Sequence, residues 1–137
     1  MGLMRVFLLS VAMCGMLTSI AWSASPCYRI DRAIKDRGKA ALSRAIEKHL
    51  PTQFADVHQS FRAGGWTILY VSFHDSDDAY LFYSHDPLTS RPVTAWGGVA
   101  MSDEEQAIKE WTVKNAPGIP PSLANCFAWH VTNDPTP

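Results

Sequence analysis

The sequence predicts an α+β domain. The expected architecture is a single antiparallel β-sheet of about four to five strands, a long N-terminal helix packed across it, and a second, shorter helix before the last strand. Three observations carry this reading. Apolar residues recur at spacings of three and four between Ile30 and Leu50, the period of a helix with one buried face. Two runs rich in β-branched and aromatic residues, Trp66–His74 and Ala79–His85, flank the turn cluster Asp75-Ser76-Asp77-Asp78 and read as a β-hairpin. Hairpin-connected strands build an antiparallel sheet, with helices set apart from it.

Length and composition agree. A chain of 137 residues suits one domain. With 47% hydrophobic and 18% charged residues, it has the composition of a globular protein rather than of a disordered chain, a collagen or a coiled coil. A formal net charge of -1 gives no drive toward nucleic acid.

Residues 1–24 read as a secretory signal peptide, and residues 25–137 as the folded domain. Arg5 supplies the positive start, Val6 to Ile20 carries no charge, and Ala21-Trp22-Ser23 presents small residues at the positions a signal peptidase reads. The apolar run is short for a membrane span of ~20 residues. Cys14 lies inside that run, not just after it, which argues against lipidation. The expected location is therefore periplasmic or secreted, with no stable membrane anchor after cleavage. Cys27 and Cys126 then remain, and two cysteines in an exported chain form one disulfide. In the chain-entropy model a loop of about 100 residues is worth up to ~4.7 kcal/mol, and the bond ties the N-terminus to the last strand.

The elements follow in order. Helix Ile30–Leu50 carries Arg32, Lys35, Lys39 and Glu47 on its polar face and stops at Pro51, which disfavours helical geometry in the residue before it. Gly38 weakens this helix by ~1 kcal/mol relative to alanine. Phe54–Phe61 is a strand, Ala63-Gly64-Gly65 a turn, and the hairpin comes next. Asp86-Pro87 opens a loop that runs to Arg91-Pro92. Val93–Ala100 is a strand in which Gly97-Gly98 signals a bulge or a close backbone approach. Ser102-Asp103-Glu104-Glu105 reads as a capping box for a helix that turns Ala107, Ile108, Trp111 and Val113 inward and ends before Pro117. Leu123–Thr132 is read as the last strand, and residues 133–137 as a frayed end.

A symmetric four-residue turn sets Tyr70 opposite Tyr83. It also separates a core face (Leu69, Val71, Phe73, Tyr80, Phe82) from a mixed face of aromatic and polar residues. The mixed face supplies the candidate binding surface: Trp66, Tyr70, His74, Tyr83 and His85, joined by Trp96. Aromatics with polar tips bury area and still hydrogen bond, which suits recognition; the alternative is that the second helix covers them. Charge is uneven. Arg29–Lys48 holds seven bases and three acids, and Asp75–Glu110 holds eight acids and two bases. Asp75, Asp77, Asp78, Asp103 and Glu104 thus form a candidate acidic lip that steers a basic partner.

No catalytic or metal motif emerges. The acids starting at Asp75 fail the EF-hand pattern at Ala79 and Tyr80. There is no HExxH, GxSxG or phosphate-binding glycine loop. No metal and no cofactor are expected. The leading expectation is a small exported, non-catalytic binding protein, an inhibitor or immunity protein that plugs a secreted cell-wall hydrolase or toxin. The second is a pocket protein for a small apolar ligand or lipid, lined by Trp66, Tyr70, Tyr83 and Trp96. The third is a hydrolase using His85 or His130 with an acid from elsewhere.

Overall fold

The computed structural model describes residues 24–134. The segment read as an export signal lies outside the described residues except for Ala24. The elements are α1 (Asp36–His49), β1 (Ala55–Ala63), β2 (Trp66–Phe73), β3 (Ala79–Tyr83), β4 (Thr94–Gly97), α2 (Glu105–Asn115) and α3 (Pro121–Asn133). The strands form one antiparallel meander in the order β1-β2-β3-β4. The α+β class with a single four-stranded sheet is as predicted.

Both faces of this sheet are covered, which makes three layers. On one face, Ile46 of α1 packs on Val57, Leu69, Val71, Leu81 and Tyr83. On the other, Leu123, Ala124, Phe127 and Val131 of α3 cover Phe61, Ile68, Tyr80 and Phe82, with Ile108 of α2 beside them. Each large buried side chain contributes roughly 1.5–3 kcal/mol.

The predicted last strand, Leu123–Thr132, is the helix α3. Pro121 starts it, where a fixed φ is pre-organised and no N–H is missed. Leu123, Ala124, Cys126, Phe127, Ala128, His130, Val131 and Thr132 are all buried. A helix buried nearly all round shows no 3.6-residue alternation, so its apolar run mimics a buried strand. Cys27 and Cys126 are disulfide-bonded, with Cα atoms 4.6 Å apart, and the bond therefore ties the N-terminal segment to α3 rather than to a strand.

Three other expectations change. The first helix begins at Asp36, because Asp31 pairs with Arg62 in an isolated bridge and its carboxylate accepts the Ala33 N–H at 2.9 Å. The capping box does not form: Glu104, not Ser102, does the local bonding, accepting the Met101 N–H at 2.7 Å. Ala107 and Val113 face solvent, while Ile108 and Thr112 point inward.

The hairpin register also differs. Val71 is the last β2 residue paired with β3, opposite Ala79, so Tyr70 faces Tyr80 rather than Tyr83. The connection is longer than the four acidic-turn residues, and the three-residue offset is odd. An odd offset exchanges the faces of β3. Tyr80 and Phe82 therefore lie on the α3 side with Ile68 and Tyr70, and Leu81 and Tyr83 lie under α1 with Leu69 and Val71.

Candidate functional site

One row of side chains crosses three strands on the α3 face. Tyr70 of β2 pairs with Tyr80 of β3, and Tyr80 pairs with Trp96 of β4. The ring centroids lie 4.7 Å apart for Tyr70–Tyr80 and 6.0 Å for Tyr80–Trp96. Val131 of α3 reaches this row but does not close it. Tyr70, Tyr80, Trp96, Val131 and the segment Gly98-Val99-Ala100 line an open groove of about 210 Å³. Tyr80 is its buried floor, and Tyr70 and Trp96 are its half-buried walls. Val99 is 92% exposed and Met101 64%, an apolar lip beyond the end of β4.

The glycines after Trp96 form that lip. A Cβ on Gly97 would stand 3.4 Å from the Asp78 carbonyl oxygen, at the edge of ordinary contact. Gly98 has φ +114°, which side chains other than hydrogen rarely adopt, and it turns the chain out toward Val99.

Asp78 supplies the charge. The Tyr70 hydroxyl donates to Asp78 Oδ2 at 2.9 Å. Burial, followed by the hydrogen bond to Asp78 and its charge, raises the Tyr70 pKa above the ordinary phenol value, so the hydroxyl stays a donor at neutral pH. Burial likewise raises Tyr80, with the neighbouring Tyr70 adding to the effect.

The six predicted surface residues do not form one surface. Tyr70 and Trp96 meet in the groove. Tyr83 is 1% exposed beneath α1 on the opposite face, and burial pushes its pKa up to about 12. Trp66 sits at the other end of β2, where its ring approaches Gly118. His85 lies in the loop beyond β3 beside the Ser84 hydroxyl. His74 stacks on Phe54 with centroids 4.9 Å apart and faces Asp56 at 3.7 Å. The four-residue cavity of Trp66, Tyr70, Tyr83 and Trp96 is therefore not assembled, because two of its members stand on other parts of the sheet.

The acidic lip is dispersed as well. Asp78 adjoins the groove, but Asp75 accepts from Thr52 Oγ1 at 3.1 Å. Glu104 is engaged at Met101, and Asp77 and Asp103 are exposed. Among the described residues, no three His, Cys, Asp or Glu side chains converge as metal ligands.

The histidines proposed for catalysis are placed otherwise. His130 is 1% exposed, between the rings of Phe61 and Tyr80, and neither ring nitrogen has a hydrogen-bond partner among the described residues. Burial, and then Arg32, whose guanidinium lies 4.4 Å over the Phe61 ring, lower its pKa to about 4 against the opposing charge of Asp134. An unfolded histidine takes up its proton near pH 6.5, so between there and about pH 4 the unfolded state holds more protons. Stability therefore falls as pH falls through that window. Urea unfolding at pH 7 and pH 4.5 is expected to show a loss of about 2 kcal/mol from this group, and His130→Phe is expected to remove it. Parallel pH profiles for the two proteins would contradict this assignment.

A contact the sequence did not signal joins His58 Nε2 and Ser72 Oγ at 2.5 Å. The register shifts between Val57 and Gln59, so His58 is the extra residue of a bulge and reaches Ser72 and the Tyr70 ring. The pair lies on an exposed strand surface, and the nearby Asp56 carboxylate is directed to His74 instead.

No family model, curated protein or solved structure matches the chain.

Proposed function

We propose that this is an exported, non-catalytic binding protein that holds another protein at the Tyr70–Trp96 groove, and that its partner is a secreted cell-wall hydrolase or toxin which it inhibits. The observation that carries the reading is the aromatic row ending at an open groove, with a carboxylate bonded to the hydroxyl of its Tyr70 wall. Ring faces and a carboxylate together favour a lysine or arginine side chain, through cation–π attraction and charge. Exposed Val99 and Met101 add the apolar contact that a protein surface would cover. The disulfide is a bond that oxidising compartments preserve, in keeping with export.

The test is capture of a partner by the immobilised oxidised protein from periplasmic and secreted extract of its own source. A hydrolase or toxin retained in stoichiometric amount is expected. Trp96→Ala is expected to weaken it by about 30-fold, the scale of an aromatic hot spot, and Asp78→Asn to reduce the salt dependence of binding. Retention unaffected by Trp96→Ala and Tyr70→Ala in folded variants would remove the groove from the account.

A further inference from the structure

A second, larger cavity lies on the opposite face, between the N-terminal half of α1, the sheet and the loop after β3, with a volume of about 590 Å³. Its origin is local. Leu42 and Ile46 hold the C-terminal half of α1 against the sheet. One turn before Leu42 the same stripe continues as Gly38, and Ala41 stands beside Leu42; both reach less far. The sheet below is also short there, since its floor is Ser60 and Thr67. Small residues above and below leave a slot, which Leu88 and Pro87 border from the side.

Gly38 is the residue that packing leaves unexplained. Within a helix interior it costs ~1 kcal/mol relative to alanine. Yet a Cβ there would meet nothing nearer than Ile34 Cγ1 at 4.0 Å, and the backbone is not in the left-handed region. No close approach demands a glycine; what its missing side chain provides is the open slot.

Three of the four charged residues that line the cavity, Lys35, Arg37 and Arg62, are cationic, and the fourth is Asp86. Ser60 and Thr67, 3% and 8% exposed, put two hydroxyl-bearing side chains on the floor of the cavity. Lys35 and Arg37 stand at the rim with no carboxylate in salt-bridge range among the described residues, and the first turn of α1 has no side-chain cap there. The other two charged residues at this cavity are engaged: Arg62 by Asp31 at 3.0 Å and by the Ala33 carbonyl at 2.6 Å, and Asp86 by the Leu88 N–H at 2.9 Å. Apolar walls, two hydroxyls on the floor and a mostly cationic rim beside the first turn of α1 match an apolar chain that ends in an anion.

We propose that this slot binds a monomeric anionic amphiphile, a carboxylate on an aliphatic chain, with the chain against Ile34, Leu42 and Leu88 and the carboxylate at Lys35 and Arg37. The site is separate from the Tyr70–Trp96 groove and does not depend on its role.

The test is calorimetric titration of the oxidised protein with sodium decanoate below its micelle concentration, with decanol and decyltrimethylammonium as controls. One saturable decanoate site is expected, with decanol about tenfold weaker, one charge contact's worth of affinity, and no binding of the cation. Gly38→Leu, which fills the slot, is expected to lower decanoate affinity by at least about tenfold. The exposed double variant Lys35→Gln/Arg37→Gln keeps the slot and is expected to erase the preference for decanoate over decanol. Equal affinity for decanoate and decanol in the native protein would overturn the proposal, as would full binding by a folded Gly38→Leu. Sedimentation with phosphatidylglycerol vesicles in the absence of decanoate binding would also overturn it, and would assign the rim to a membrane surface.

Discussion

Replacing Phe127 with alanine is expected to destabilise the oxidised protein by ~3–5 kcal/mol, the range for a fully buried phenylalanine. For a domain of this size that lowers Tm by on the order of 15 °C. Phe127 is fully buried, and its ring meets Phe82 edge-on at 4.9 Å, Tyr80 at 5.1 Å and Trp96 at 5.6 Å. It is thus the side chain by which α3 grips both the core row and the groove row of the sheet. Its loss should loosen Tyr80 and Trp96 together, so partner capture should weaken even below the melting transition. Thermal unfolding followed by circular dichroism checks the first effect. A loss below about 1 kcal/mol, the level of an ordinary surface change, would show that Phe127 does not hold α3 on the sheet.

The disulfide gives the second large effect. Cys27 and Cys126 are 99 residues apart in sequence, and the bond holds the segment before α1 against α3. Cys27 and Ile30 of that segment are buried in the same core as Phe127. Opening the loop releases chain entropy in the unfolded state, and removal of such a bond typically costs ~2–5 kcal/mol. Cys27→Ser is therefore expected to lower Tm by on the order of 10 °C, and reductant should do the same to the native protein. Reductant should do nothing further to Cys27→Ser. Coincident melting of oxidised and reduced protein would contradict a stabilising bond.

How much of this was legible depends on whether the controlling contact is local. The spacing of Ala41, Leu42, Ala45 and Ile46 shows α1 directly, and the β-branched and aromatic run at 66–73 shows β2. Two cysteines in the domain left one pairing. What failed was non-local. Most of the segment 123–132 is buried between the sheet, α2 and the N-terminal segment, so its burial leaves little helical periodicity to read. The hairpin register rested on assumed turn symmetry, and the odd offset moved Tyr83 under α1 and brought Tyr80 beside Tyr70. Tyr70 and Trp96 were visible as strand aromatics. Their meeting, and the gap that Val131 leaves over them, depends on where α3 lies, which no local pattern encodes. The slot beneath α1 left one trace in the sequence, a glycine inside a helix.

The Tyr70–Trp96 groove is, in the proposed reading, the surface at which another protein is held. Hydrogen exchange of the chain, alone and bound to its captured partner, tests this most directly. Slowed exchange on binding is expected at residues 96–101 and around Tyr70 and Asp78, with the outer face of α1 unchanged. Protection confined to α1 and residues 86–90, with 96–101 exchanging as in the free protein, would contradict it.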